Sequence, residues 1–268
     1  MTRKAFHGII AMPELESVEK LISGGQSDVY LVEIEGKEYI LKKYKGNFDP
    51  KILREITAFH LHSGDATEYI VPLHGIYYFK SQLSLVFEHM RGGDLFDYIG
   101  ERQRRRAPFT PSEVRVFAHR MLTAIRIFHD YQLIHRDIKP ENILLERPDD
   151  LSSVRIADFG LCTLLSHNTR LTPSVGTAQF RPPEMLTVNY DAKVDIYSIG
   201  IIILTMLNNV YVVNENLQQQ LARLGDGPDA QMVRAALDIN PRKRFTAAQL
   251  LEMDYFKDEE AQARSKSI

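Results

Sequence analysis

The stretch LIHRDIKPENILL, Leu133 to Leu145, crowds His135, Arg136, Asp137, Lys139 and Asn142 between two short apolar runs. Those runs are too short for long helices, which leaves the polar residues on one loop between two small strands. A polar turn accounts for the polarity but not for the choice of side chains. A carboxylate can orient an attacking hydroxyl, an ammonium can sit beside a transferring phosphoryl group, and an amide oxygen can ligate a hard cation. Asp137, Lys139 and Asn142 supply these three in order. Further along, VRIADFGL brings Asp158 out of an apolar strand candidate, and Gly160 behind it permits a sharp change of direction. Asp158 would give a hard metal such as magnesium a second oxygen ligand.

HRDIKPEN followed by DFG resembles the eukaryotic protein kinase superfamily, and the likeness runs from about Val18 to Phe256. It implies an α+β, bilobal fold with a small N-terminal β-rich lobe carrying one helix and a larger, mostly helical C-terminal lobe. It also implies ATP and Mg2+ as cofactors. Carried over residue by residue, it makes Asp137 the catalytic base, Lys139 the phosphate-facing cation, and Asn142 and Asp158 the magnesium ligands. Lys42 in YILK resembles the family's strand lysine, and Glu55 in REI its helical partner. Glu184 in RPPEML, where Pro182 replaces the usual alanine, would pair with Arg244 in NPRKRF. Asp195 would brace the catalytic loop, and Phe59, Leu73, His135 and Phe159 fall where the family stacks an internal spine.

The family's glycine-rich nucleotide loop corresponds to LISGGQSDV, residues Leu21, Ile22, Ser23, Gly24, Gly25, Gln26, Ser27, Asp28 and Val29. Ile22 and Ser27 stand at its first and third glycines, so only Gly24 keeps its place, with Gly25 beside it at the tip. This predicts a loop stiffer at its base than usual. Ile40, Lys42, Glu88, Met90 and Leu144 complete the implied nucleotide contacts. Ile40 departs from the family's alanine and would narrow the adenine pocket. Lys139 two positions after Asp137, with Thr177 in GTAQF, resembles the serine/threonine branch.

These groups need a scaffold, and the sequence supplies the signals for one. VYLVEIEGKEYILKKY reads as two strands joined near Glu35 and Gly36, with Val29, Leu31, Ile40 and Lys42 at period-two positions. In DPKILREITAFHLH, Asp49 is an N-cap signal, Pro50 suits the first helical position, and Leu53, Ile56 and Phe59 recur at helical spacing. VPLHGIYYF and QLSLVFEHM read as strands. TPSE at Thr110 is a capping box opening a helix with Val114, Phe117, Met121, Leu122, Ile125 and Phe128 on one stripe, and TAAQ at Thr246 is another. The expected division is a kinase domain over residues 15–257, with a small lobe over 15–87, a hinge over 88–93, a large lobe over 94–257, and a polar tail over 258–268. NNVYVVNENLQQQ replaces the family's Pro-Pro-Phe element, which predicts a reduced substrate-docking helix.

Composition sets outer bounds. With 33 basic and 35 acidic residues in 268, no overall field attracts nucleic acid or an anionic membrane surface. The apolar run Ile196 to Leu207 is shorter than the roughly 18 residues a span requires and reads as a buried helix. The basic start has its apolar residues too interrupted for a signal-peptide core. One cysteine, Cys162, excludes an internal disulfide and suits a reducing compartment, so the expected location is intracellular, cytoplasmic or nuclear. The expected partner is a protein carrying a serine or threonine acceptor, with no membrane insertion. Asp94 and Glu141 resemble positions that contact basic residues before the acceptor, while Thr205 lacks a further acid, so a mild basic preference follows. RQRRR, Arg102 to Arg106, reads as a solvated loop or a dock for an acidic partner. Thr172 and Ser174 are expected acceptors for a regulatory kinase or for the protein itself, acting through Arg136, with Pro173 at the usual acceptor position. The rival reading is a pseudokinase scaffold that binds nucleotide without transfer, drawn from Ile22, Ser27 and Ile40. A kinase of small-molecule alcohols is disfavoured by the Asp158 to Glu184 pattern.

Overall fold

The computed structural model describes residues 10–11, 15–25, 27–46, 50–61, 65–165, 171–212 and 216–257. Gln26, Asp49 and the tail over 258–268 lie outside them, and Phe59 is described only as a backbone position.

The N-terminal part is a twisted sheet of β1 (Ile10–Ala11), β2 (Ser17–Ser23), β3 (Ser27–Ile34), β4 (Lys37–Tyr44), β5 (Leu73–Phe79) and β6 (Gln82–Glu88), in the order β1-β5-β6-β4-β3-β2. β1 lies parallel to β5 and the other pairs are antiparallel. The β3–β4 turn falls at Glu35 and Gly36, whose φ angles of 51° and 70° are the left-handed values a two-residue hairpin turn requires. Alternation then divides the sheet into two faces. Tyr30, Val32, Ile34, Tyr39 and Leu41 pack together on the outer face, whereas Tyr44, Ile76, Leu85 and Phe87 pack with Ile52 of α1 (Pro50–Leu61) on the inner one.

Of the residues at helical spacing on α1, Ile56 packs against the inner-face cluster but Leu53 does not. Leu53 is 50% exposed, while Ile52 and Glu55 are each 1% exposed. The helix turns Glu55 inward because Lys42 waits there, and an ion pair overrides the apolar pattern.

The larger part is helical: α2 (Leu95–Arg104), α3 (Pro111–Asp130), α4 (Lys193–Asn208), α5 (Leu217–Ala222), α6 (Pro228–Ala236) and α7 (Ala247–Leu251). Both expected capping boxes form, at Thr110 with Glu113 and at Thr246 with Gln249, and the expected α3 stripe is buried. Residues Val194 to Met206 of α4 are all buried, so this helix is the central post against which α3 and α6 pack. Among the described residues, the position expected to carry a reduced docking helix holds the six-residue α5. Two small ladders, β7 (Leu133–Ile134) with β10 (Thr163–Leu164) and β8 (Ile143–Leu145) with β9 (Val154–Ile156), lie at the edge facing the sheet. Ile156 accepts from Val71 and donates to Tyr69 through its backbone, which ties the two parts together.

The RQRRR reading needs correction. Arg102 is no loop cation: it lies in α2, its fork meets Glu113 at 2.9 and 3.1 Å, and it donates to the carbonyls of Ala107 and Pro108. Its guanidinium also lies 4.6 Å from the Phe109 ring centroid. Arg104 and Arg105 pair with Glu101 on the same helix. Arg104, Arg105 and Arg106 are exposed where α2 ends and turns, as a solvated run would be, and cations there meet the free carbonyls favourably.

Candidate active site

Lys42 leaves the inner face of β4 beside Ile40. Its ammonium meets Glu55 of α1 at 2.7 Å and Asp158 at 3.1 Å. The hydroxyl of Tyr44 donates to the second Glu55 oxygen at 2.7 Å, so both oxygens of that buried carboxylate have a donor. Burial would lower the proton affinity of Lys42, but the charges of Glu55 and Asp158 outweigh it and raise the group above its ordinary value. Burial likewise opposes ionisation of Asp158, yet Lys42 and the Gly160 amide hold its carboxyl at about 2. Asp158 sits at φ 56°, and this left-handed turn sends its carboxylate toward Lys42 while Phe159 goes the other way into the core. There Phe159 lies 5.1 Å from the His135 ring and 5.6 Å from Phe128. Leu73 packs at the edge of the inner-face cluster.

The loop between β7 and β8 is held from beneath by Asp195, 1% exposed near the start of α4. Its two oxygens accept from the backbone amides of His135 and Arg136, each at 2.9 Å, and His129 adds a contact at 3.1 Å. Burial works against the Asp195 charge, but His129, His135 and these amides keep its carboxyl below the ordinary value. His135 reaches the Ala157 carbonyl at 3.1 Å, joining the loop to the turn that carries Asp158. Asp137 then presents two differently used oxygens. One accepts from the Thr177 amide and hydroxyl, both at 2.9 Å; the other accepts from Asn142 at 3.2 Å and lies 3.4 Å from Lys139. Asn142 also donates to the Asp137 carbonyl at 2.9 Å, which fixes its amide with Nδ2 inward and Oδ1 turned the other way. Asp137, Lys139, Asn142 and Thr177 therefore gather here, and Lys42, Glu55 and Asp158 form the second cluster.

An apolar lining, the expected adenine slot, adjoins Lys42 and Asp158 through their neighbours Ile40 and Ala157. Ile40, Leu144 and Ala157 pack against the inner-face group that includes Val71, Phe87 and Met90. Ile40 pairs with Phe87 across β4 and β6, so the bulk added at Ile40 faces a second large side chain. Phe87 was not singled out from the sequence, although its place in QLSLVFE opposite Ile40 was readable. The side chain of Glu88 turns outward to Lys37 at 3.3 Å, which leaves only its backbone for the slot. Leu21, Ile22 and Ser23 are exposed, Val29 is half-buried, and Asp28 is buried beneath the loop. Gly176 and Tyr190 also went unnoticed. A Cβ on Gly176 would lie 2.3 Å from the Arg136 carbonyl, and its φ is 80°, so the segment carrying Thr177 can approach the loop only there. A separate surface groove of about 620 Å³, bounded by Glu68, Tyr69 and α3 residues Thr123, Arg126 and Asp130, shares no residue with the slot.

The family model described as protein kinase domain matches residues 15–256. The chain belongs to the protein kinase family. Over 226 residues it is 28% identical to the carbon catabolite-derepressing protein kinase of Saccharomyces cerevisiae, covering 80% of this chain and 34% of that protein. Over 223 residues it is 30% identical to calcium-dependent protein kinase 19 of Arabidopsis thaliana, covering 77% of this chain and 39% of that one. The kinase domain thus spans well under half of either relative. Its fold resembles a chain in a solved structure of the CAK complex of Chaetomium thermophilum bound to ATP-gamma-S, with a TM-score of 0.75, 24% identity, and coverage of 89% and 90%.

One more expected pair is present in the kinase domain. Arg244, 1% exposed, meets Glu184 at 2.5 and 3.3 Å, donates to the Asp238 and Lys193 carbonyls, and lies over the Tyr197 ring. It fastens the segment after Thr177 to the helical core, and with it the backbone that holds Asp137.

Proposed function

We propose that this chain is a serine/threonine protein kinase that transfers the γ-phosphoryl group of ATP to a protein hydroxyl. The observation that carries the reading is the divided use of Asp137. Thr177 holds one oxygen by two donors, and the other faces Asn142 and Lys139. In this reading the carboxylate accepts the proton of the incoming hydroxyl, and Lys139 offsets charge on the transferring group. Lys42, held by Glu55, positions the phosphates, and the slot around Ile40, Leu144, Phe87 and Met90 takes the adenine. Leu21, Ile22, Ser23, Gly24, Gly25, Gln26, Ser27, Asp28 and Val29 cover the nucleotide.

Asp158 and Asn142 would hold Mg2+. One ionised carboxylate and one amide oxygen suit a cation that draws its remaining ligands from phosphate and water. The metal, when bound, supplies charge neutralisation at the phosphates. The lowered carboxyl of Asp158 keeps that ligand ionised across the working pH range.

Substrate choice is read as mildly basic. Asp94, Asp97 and Glu141 stand close enough to raise the Tyr211 phenol, with burial as the larger cause, to about 12. One Asp94 oxygen already caps α2 through the Asp97 amide at 2.8 Å, so its contribution is shared with the fold. Thr205 is buried and bonded to the Ile201 carbonyl, which leaves no acid at that position. Regulation is read at Thr172 or Ser174, both exposed, with another kinase or this one supplying the phosphate. Among the described residues no helix is long and apolar enough to cross a membrane, and the assignment to cytoplasm or nucleus rests on cysteine usage alone.

Peptide-array phosphorylation by purified protein with ATP and Mg2+ tests the reading, with Asp158→Asn as the control. Transfer to serine or threonine peptides that Asp158→Asn lacks supports it. Equal signal from both proteins, or none from the wild type, overturns it. Nucleotide binding without transfer would favour the scaffold reading, to which Ile22, Ser27 and Ile40 lend support.

A further inference from the structure

The nucleotide-covering loop keeps one of three expected glycines in place, and the structure holds the loop by charge instead. Asp28, 7% exposed, follows Ser27 at the loop's return. Its carboxylate accepts from the Ser23 hydroxyl at 2.8 Å and meets Lys45 at 3.1 Å and Lys20 at 3.3 Å. Lys45 also donates to the Gly24 carbonyl at 2.6 Å and reaches the Ser23 hydroxyl at 3.4 Å. The Gly24 amide closes the hairpin on the Ser27 carbonyl at 2.9 Å. Ser23 first, and then Lys45 and Lys20, hold the Asp28 carboxyl at about 2 against the effect of burial.

These groups approach from the side of the sheet away from the slot. Asp28 alternates in register with Tyr30, Val32 and Ile34, the outer-face residues of β3. Lys20 and Lys43 lie over the Tyr30 ring at 5.8 and 5.7 Å, and Lys45, just past the end of β4, reaches the same face through its pair with Asp28. In a trans peptide the carbonyl of one residue and the amide N–H of the next point in opposite directions. A cation that takes the Gly24 carbonyl from the outer face therefore turns the Gly25 N–H inward, over the face that carries Ile40 and Lys42.

We infer that Lys45 is a positioning residue for this loop: from outside the site it holds the Gly24–Gly25 peptide so that its amide addresses the nucleotide phosphates. This rests on the nucleotide reading above and goes beyond it, because Lys45 touches neither nucleotide nor acceptor. Asp28 is its electrostatic anchor. Backbone amides on phosphate are charge-assisted bonds, so the effect belongs to the phosphates and not to the base.

Calorimetric titration with Mg2+ and a non-hydrolysable ATP analogue, and separately with adenosine, tests this on the full chain. Lys45→Met should weaken the analogue roughly 3- to 10-fold, the scale of one charge-assisted bond, while adenosine stays within about twofold. Asp28→Asn should share that signature in weaker form, Lys45→Arg should restore analogue binding, and Lys43→Met should match the wild type. An unchanged analogue affinity in Lys45→Met, or equal weakening of analogue and adenosine, overturns the role of Lys45. A wild type that binds neither ligand overturns the nucleotide reading itself, and the inference with it. Lys45→Met leaves the buried Asp28 carboxylate with Lys20 at 3.3 Å and the Ser23 hydroxyl at 2.8 Å, so that charge is still paired.

Discussion

The guanidinium of Arg136 donates to the hydroxyl of Tyr190 at 3.3 Å, and that hydroxyl donates in turn to the carbonyl of Thr172 at 2.8 Å. Arg136 also donates to the Leu161 carbonyl at 2.7 Å. One buried cation therefore holds Leu161 directly and Thr172 through Tyr190, and among the described residues the acceptors of its side chain are neutral. A phosphate on Thr172 or Ser174 would bring about -1.5 to -2 charges to this chain of bonds. Phosphatase treatment is expected to lower activity, and Tyr190→Phe to lower it further, by roughly 3- to 10-fold, in the dephosphorylated protein. Mass spectrometry paired with activity assays checks this. Full activity with no phosphate between Leu161 and Arg181 would rule out regulation at Thr172 or Ser174.

Asp137→Asn should cut turnover by at least about 10²-fold with nucleotide binding nearly intact, since the base acts on the hydroxyl. Asp158→Asn should lose magnesium-dependent nucleotide binding as well as turnover. Steady-state kinetics beside calorimetry separates the two variants. Wild-type rates in both would refute the assigned roles.

Ile40 lies beside Phe87, its cross-strand neighbour on the inner face of the sheet. Ile40→Ala is expected to tighten ATP binding by widening the adenine site, whereas Ser27→Gly should change mainly the turnover rate through loop closure. Titration with a non-hydrolysable nucleotide reads the first effect. A weaker or equal affinity in Ile40→Ala would show that the slot already fits.

Removing Glu184 strands a guanidinium that is 1% exposed. Glu184→Gln should destabilise the fold by about 3–5 kcal/mol, the usual cost of leaving one partner of a buried pair unmatched. Chemical denaturation measures it. A midpoint within error of the wild type would mean that the carbonyl acceptors suffice for Arg244.

Arg102 first, and then Thr110, hold the Glu113 carboxyl at about 2, below its ordinary 4.5, against the effect of burial. Because the folded value is the lower one, the stabilisation is complete above about 4.5 and drains away as pH falls toward 2. Glu113→Gln should therefore lower the melting temperature at neutral pH and flatten its decline over that acid window. A parallel decline in both proteins would assign acid unfolding to other groups.

Much of the site was legible because its parts are local. Asp137, Lys139 and Asn142 share one loop, and the capping boxes at Thr110 and Thr246 need only three-residue spacing to form. The two-faced sheet followed from alternation, which placed Ile40 beside Lys42 before any partner was known. Where local pattern misled, a distant charge was the cause. Leu53 fitted the helical period of α1, yet Glu55 turned inward to meet Lys42, and Arg102 in the charge run became a half-buried tie to Glu113.

The sequence alone determined the chemistry available: a carboxylate, a cation and an amide on one loop, a second carboxylate beyond it, and a glycine-bearing loop between two strands. Tertiary structure decided what holds those groups still. The bonds from Asp195 to the 135–136 backbone, from Thr177 to Asp137 and from Lys45 to the Gly24 carbonyl join residues far apart in the chain. Many of their acceptors and donors are backbone groups that every residue type carries alike. Side-chain identity cannot specify which backbone group will be chosen, so only the packed lobes bring these partners within bonding distance.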